Sequence, residues 1–192
     1  MSITIRPARP EETGELARVF VAAWRGGYRG VVDDDLIDAL DVEQVSGWLA
    51  ERIADVTLAT VVAVDGGKVI GFARFGPDRD RPDPNAGYLA SLYVEPVSGG
   101  RGTGRTLLAH ALDALAREGL SDITLWVFAD NERARDLYSR AGFVPDGTCE
   151  MDDQWRAVKV RYRLFRGHDG AGMCSPAGST ARSWPTPRSP IG

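Results

Sequence analysis

Leu92-Tyr93-Val94-Glu95-Pro96 runs into Gly99-Gly100-Arg101-Gly102-Thr103-Gly104-Arg105, and this stretch decides the fold. The first five residues read as the end of a β-strand, closed by proline. A dense glycine turn follows. Beyond it Leu107, Leu108, Ala111, Leu112 and Leu115 recur at helical spacing. Strand, glycine turn and helix together aim backbone N–H groups and the positive end of a helix dipole at one spot, a geometry suited to a pyrophosphate. Glycine is required because amides converge only where the backbone comes close and some residues take positive φ. No Lys-Ser/Thr pair follows the turn, which excludes the nucleotide-triphosphatase cradle. The dinucleotide spacing of glycines at one, three and six also fails.

A second segment has the same design. Ile123 to Phe128 reads as an apolar strand, followed by Asn131-Glu132-Arg133-Ala134-Arg135-Asp136-Leu137-Tyr138 and, after the helix, Gly142-Phe143. An asparagine opens this helix, where its side chain can cap free amides. Tyr138 lies seven residues on, two turns along the same face.

The remaining chain supplies strands and helices without regular alternation. Ile3 and Ile5 mark a short first strand ending at Pro7. Pro10-Glu11-Glu12 opens a helix with Leu16, Val19, Phe20 and Ala23 inward, expected to end near Trp24 where Gly26-Gly27 break it. Asp33-Asp34-Asp35 starts another helical stretch, and Val45, Trp48, Leu49 and Ile53 mark a third. Val56 to Val64 and Lys68 to Phe75 flank Asp65-Gly66-Gly67 as a hairpin. A proline-rich loop spans Gly76 to Gly87, and Tyr88 to Val94 is a strand. Thr148 to Met151 and Ala157 to Phe165 are the last two strands. A mixed α/β sheet with helices on both faces is the economical layer solution.

The chain has 192 residues, 43% hydrophobic and 26% charged, which suits one soluble core. A net charge of −4 argues against general nucleic-acid binding, which wants a basic face. Two cysteines and two histidines, without ligand spacing, predict neither a disulfide framework nor a metal site. No secretory leader and no apolar run long enough to span a bilayer are present, so the expected location is cytoplasmic with no membrane partner. From Gly167 to Gly192 half of the residues are Gly, Pro or Ser, and apolar periodicity is absent. The expectation is one domain over 1–166 and a disordered tail over 167–192, with Trp184 its single large aromatic.

The two motifs together resemble the acyl-CoA site of the GNAT superfamily of N-acetyltransferases, over roughly residues 2 to 165. Val94-Glu95-Pro96 resembles the family's strand exit, and Gly99 to Gly104 its phosphate turn, with Gly99 standing where Arg or Gln is usual. Asn131, Ala134, Tyr138, Gly142 and Phe143 match the family's second segment. The resemblance implies a mostly antiparallel sheet of six to seven strands whose fourth and fifth strands splay apart. It implies acetyl-CoA as cosubstrate and no metal. Its cofactor site would be Leu92, Tyr93, Val94, Gly99, Gly100, Arg101, Gly102, Thr103, Gly104, Arg105, Asn131, Ala134 and Tyr138. Within it the pantetheine arm would pair with the backbone of Leu92 and Val94, the Val94 N–H would meet the thioester oxygen, and Asn131 would bond the arm. Tyr138 would be the catalytic acid near the sulfur.

The acceptor, a small-molecule or peptide amine, is expected against Trp24, Tyr28, Tyr88, Trp126 and the Gly76–Gly87 loop, where aromatic walls suit an apolar or cationic amine. Core packing is the competing reading for Trp24 and Tyr28. Many relatives carry a glutamate on the fourth strand as base; the matching position here is Tyr88, and no base is assigned. Asp33, Asp34 and Asp35 read as helix N-terminal acids. A module that senses acyl-CoA without turnover is the alternative function. Homodimers are common in the superfamily, and the last strands are plausible pairing edges.

Overall fold

The computed structural model describes residues 3–166. The predicted tail, with Trp184, lies outside the described residues. The elements in order are β1 (Thr4–Pro7), α1 (Thr13–Gly27), α2 (Asp34–Asp38), α3 (Val42–Ala54), β2 (Ala59–Asp65), β3 (Lys68–Pro77), β4 (Ala86–Val94), α4 (Thr103–Arg117), β5 (Asp122–Phe128), α5 (Glu132–Arg140), β6 (Val144–Asp152) and β7 (Ala157–Phe165). Seven strands form one sheet in the order β1-β2-β3-β4-β5-β7-β6. Neighbours are antiparallel except β4 and β5, which run parallel.

Strand alternation sorts the side chains into two cores. Val61, Ala63, Ala73, Leu89, Ile123, Leu125 and Val127 meet α4 and α5 on one face. Val62, Phe72 and Tyr93 meet α1, α2 and α3 on the other. The β2–β3 hairpin turns on Gly66 and Gly67, whose φ values of 57° and 83° fit a two-residue turn of the type strand twist favours.

Three boundaries differ from the sequence reading. Helix α1 does not break at Gly26-Gly27 but runs through them to Tyr28. A Cβ at Gly26 would lie 2.5 Å from Pro96 Cγ, so this glycine permits close approach between α1 and the turn after β4. Strand β2 starts at Ala59, because Asp55 accepts from the Thr57 N–H at 3.0 Å and makes a turn there. The β3–β4 loop is only residues 78–85, since both strands extend further than apolar patterning alone reveals.

The feature that positions the site is a gap. β4 pairs with β5 only through Ala86, Gly87 and Tyr88, so the expected splay is present from Leu89 onward. Its cause is visible in the register with β3, where Arg74 faces Ser91 and Phe75 faces Leu89. Ala90 is the extra residue of a bulge, which bends the strand. The paired end is held by Asp122, 1% exposed, whose carboxylate takes both Arg81 and Arg163.

Candidate active site

Beyond the bulge, the free edge of β4 offers backbone groups to the gap. Glu95 N–H donates to the Ile70 carbonyl at 2.8 Å, and Tyr93 O faces β3 beside Gly71. Alternation along a strand then turns the N–H and C=O groups of Leu92 and Val94 toward the open edge. This is the edge that the resemblance implied.

The glycine turn lies at the end of that edge. Gly100 and Gly102 take φ values of 77° and 82°, which a side chain adopts only with strain. Gly102 caps α4 without a side-chain bond. Among the described residues, the N–H groups from Gly100 to Arg105 have no protein acceptor, whereas Gly99 N–H already serves the Pro96 carbonyl at 2.9 Å. Free amides at a helix start, with the dipole behind them, are an anion site. The Thr103 hydroxyl does not join them; it donates to the Ser98 carbonyl at 3.4 Å and ties the turn together.

A cleft of about 650 Å³ runs along this edge, lined by Tyr28, Leu92, Tyr93, Val94, Gly99, Gly100, Gly102, Thr103, Gly104, Arg105, Asn131, Arg133 and Ala134, among others. It brings together the residues predicted for the cofactor with two exceptions. Arg101 lies outside the lining, its guanidinium 3.5 Å from the Asp65 carboxylate. Tyr138 is 8% exposed and packs edge-on against Phe143 in the core under α5. The departure at Gly99 has a structural counterpart that sequence reading missed. A Cβ there would fall 2.9 Å from Arg133 Nη2, so a guanidinium from α5 occupies the space a turn side chain would take.

Asn131 combines two properties. Its Oδ1 accepts from the Ala134 N–H at 3.1 Å and caps α5, and it lines the cleft at 7% exposure. With Oδ1 so engaged, its amide NH₂ is the group left to donate.

A second cleft, of about 460 Å³, opens on the other face of the sheet, and Tyr93 lines both. Trp24 and Tyr88 line it, Tyr28 lines the first cleft, and Trp126 lines neither. Trp126 differs from expectation because β7 covers it: Lys159 Nζ and Arg161 Cζ lie 5.5 and 5.8 Å from its ring centre. Phe128, two residues on along the same face, reaches Trp24 and Tyr28 instead. Trp24 is 2% exposed and stacks on Tyr28 at 4.3 Å, so it is a core residue and a cleft wall at once.

Four further residues of this cleft escaped the sequence reading. Trp155 lies against Trp24 at 3.9 Å between ring centres, brought there by the β6–β7 turn, where Arg156 takes φ 51° and reaches Asp33 at 3.0 Å. Trp48, Arg52 and Arg74 complete one end. An aromatic in the polar turn Asp152-Asp153-Gln154-Trp155 and a lone charge in the apolar strand Val69-Ile70-Gly71-Phe72-Ala73-Arg74-Phe75 were the available signals. Three acids of the cleft are engaged: Glu150 and Asp152 hold Lys159 at 2.9 and 3.0 Å, and Asp55 accepts from the Thr57 N–H at 3.0 Å. Asp33 caps α2, and Asp34 pairs with Arg29, as helix-start acids would.

Tyr28, Tyr88 and Tyr93 line the clefts, and Tyr138, in the core beneath α5, lies close enough for them to feel one another's charge. Burial raises all four hydroxyls above the usual tyrosine range, Tyr93 to about 12. They therefore stay protonated donors at neutral pH. Among the described residues no group of acids, cysteines and histidines is arranged to hold a metal, and no helix is long and apolar enough to cross a membrane.

Residues 31–143, more than half of the chain, match the model of the acetyltransferase (GNAT) family. An uncharacterized N-acetyltransferase of Bacillus subtilis, YuaI, is 30% identical over 130 residues, which cover 67% of this chain and 73% of that protein. A probable N-acetyltransferase of Mycobacterium tuberculosis is 29% identical over 175 residues, covering 86% and 95%. The fold matches that of the PaiA N-acetyltransferase of Thermoplasma acidophilum, solved in complex with coenzyme A, with a TM-score of 0.67 and 22% identity over 84% of this chain and 98% of that one. The chain belongs to the acetyltransferase (GNAT) family, enzymes that move an acetyl group from acetyl-CoA to an amine.

Proposed function

We propose that this chain transfers the acetyl group of acetyl-CoA to the primary amine of a small-molecule or peptide acceptor by direct attack, with no covalent enzyme intermediate. The observation that carries the proposal is the meeting of two clefts at the open edge of β4. One cleft ends in unpartnered amides, suited to the diphosphate of coenzyme A. The other reaches the same edge from the opposite face and admits the amine.

Val94 N–H, directed into the gap, donates to the thioester oxygen and stabilises the negative charge that develops there. Leu92 and Val94 pair with the amides of the pantetheine arm as a further strand would. The Asn131 NH₂ donates to the same arm. Attack forms the C–N bond and, as the tetrahedral carbon collapses, breaks the C–S bond. Tyr138, kept protonated by burial, gives its proton to the departing thiolate and regains one from water before the next cycle. The proton lost by the amine leaves through the second cleft to water.

Calorimetric titration of the full chain with acetyl-CoA, coenzyme A and ATP tests this reading. Binding of both coenzymes without ATP is the expected result, followed by release of free thiol when amines are supplied. Failure of both coenzymes to bind would overturn it. Retained binding with no thiol release from any amine would favour the sensing alternative.

A further inference from the structure

One end of the second cleft carries two arginines, and Asp55, which lines the same cleft, accepts from the Thr57 N–H and pairs with neither. Arg74 is 6% exposed, in the middle of β3, and lines the cleft. Its Nε donates to Thr60 Oγ1 at 3.3 Å and its Nη2 to the Arg52 carbonyl at 2.6 Å; its Nη1 has no partner among the described residues. Arg52, half-buried at the end of α3, lies with its guanidinium 4.2 Å from the Trp48 ring centre. No carboxylate is within ion-pairing distance of either arginine among the described residues. Asp55 and Glu51 act on them only through longer-range charge, and the two guanidiniums repel each other. Burial and that repulsion hold Arg74 down to about 10, still fully charged at neutral pH.

Buried charges are normally paired, because removing an ion from water costs several kcal/mol. A cleft that carries two unpaired guanidiniums is built for a charge that arrives with a ligand. From these observations, and resting on the acetyltransferase reading above, we infer that the acceptor is a primary amine that also carries an anionic group, held by Arg52 and Arg74 while its amine meets the thioester at Val94. The anion belongs to the carboxylate or phosphonate class, whose oxygens match the guanidinium fork. Arg74 pairs across the sheet with Ser91, three residues before Val94. At roughly 3.3 Å per residue the strand positions of Arg74 and Val94 are about 10 Å apart, which sets the scale of the acceptor. Tyr88, Ala90, Ser91 and Tyr93 form the floor between them.

The test uses the full chain, acetyl-CoA and a ladder of ω-amino acids from two to six carbons. Each acid is compared with its carboxamide, its uncharged alkylamine and its aminoalkylphosphonate. Thiol release gives kcat/KM. At least one chain length is expected to favour the anion over its neutral counterparts by tenfold or more, and the better of the carboxylate and phosphonate arms identifies the anion. Arg52→Gln and Arg74→Gln are expected to bring that ratio toward one through KM rather than kcat, with Arg52→Lys restoring part of it. Because Arg74→Gln also removes a buried tie to α3, Arg52→Gln decides the matter if the first variant does not fold. Equal use of neutral and anionic amines, no turnover of any acid while acetyl-CoA still binds, or a preference that survives Arg52→Gln would each overturn the inference. Failure of acetyl-CoA to bind would instead count against the acetyltransferase reading, so the two failures are distinguishable.

Discussion

Gly71→Ala should damage catalysis without touching the substrate. Gly71 lies on β3 opposite Val94, and a Cβ built there would fall 2.9 Å from the Tyr93 carbonyl oxygen, 3.1 Å from Leu107 Cδ1 and 3.3 Å from Val94 Cγ2. The leucine can rotate, but the carbonyl is backbone in a paired strand. An ordinary contact needs about 3.4 Å or more, so β4 must move away by roughly half an ångström at the two residues that border the gap. Overpacking of this kind costs about 1–3 kcal/mol, which for a chain of this size lowers Tm by about 2–12 °C. Catalysis should suffer separately. A misplacement of about 1 Å can cost 10²-fold in rate, so half of that predicts a loss of about tenfold in kcat with Val94 N–H off its target. Thermal unfolding followed by circular dichroism measures the first effect, and steady-state thiol release the second. Gly47→Ala is the control. Its Cβ would meet nothing within 4 Å, in the middle of α3, and removing backbone entropy there should stabilise by about 0.5–1 kcal/mol. If Gly71→Ala melts within a degree of the parent and turns over at the same rate, the β3–β4 contact does not position the site.

Other expectations separate roles that coincide in one residue. Tyr138→Phe keeps the ring that packs on Phe143 and should lower kcat by about 10²-fold, with acetyl-CoA affinity unchanged by calorimetry; an unchanged kcat would remove Tyr138 from the proton path. Because burial holds that hydroxyl above its ordinary range, the acid stays protonated, and kcat should show no decline as pH rises to 10. Asn131→Asp preserves the α5 cap, which aspartate makes about as well, but loses the NH₂ donor. Its stability should stay within about 0.5 kcal/mol of the parent while acetyl-CoA binds more weakly; Asn131→Ala should lose both. Glu12 is held down to about 2 by Arg6, which bonds it, with the Arg9 N–H also donating. A folded pKa below the unfolded one means that its stabilisation is present above about pH 4.5 and fades as pH falls toward 2. Glu12→Gln should therefore flatten that part of the acid-unfolding curve, and an unaltered curve would show that the pair contributes nothing.

The half of the site proposed to hold coenzyme A was legible because it is local. Strand, glycine turn and helix occupy one unbroken stretch from Leu92 to Leu115, and positive φ at Gly100 and Gly102 is a backbone demand that only glycine meets without strain. The splay was reachable only by resemblance, since its cause is a bulge at Ala90, and nothing in Tyr88-Leu89-Ala90-Ser91 marks one extra residue in a register set by β3. Trp126 was misplaced for a related reason. Alternation puts it on the correct face of β5, but its cover comes from β7, which enters the sheet between β5 and β6 out of chain order.

The acceptor half is assembled differently. Its walls come from α1, α3, β3, β4 and the β6–β7 turn, of which only β3 and β4 follow one another in the chain. Arg52 and Arg74 are 22 residues apart and are brought together by one bond from Nη2 to a helix-end carbonyl. This division has a chemical consequence. The amides of the glycine turn and the open edge of β4 are backbone groups, which substitution of side chains leaves in place, whereas Arg52 and Arg74 act through their side chains. Exchange of Arg52 or Arg74 can therefore redirect the chain toward a neutral amine without disturbing the anion site at the start of α4. Donor binding and acceptor choice should vary independently across the variants described above, joined only at Tyr93, the residue both clefts share.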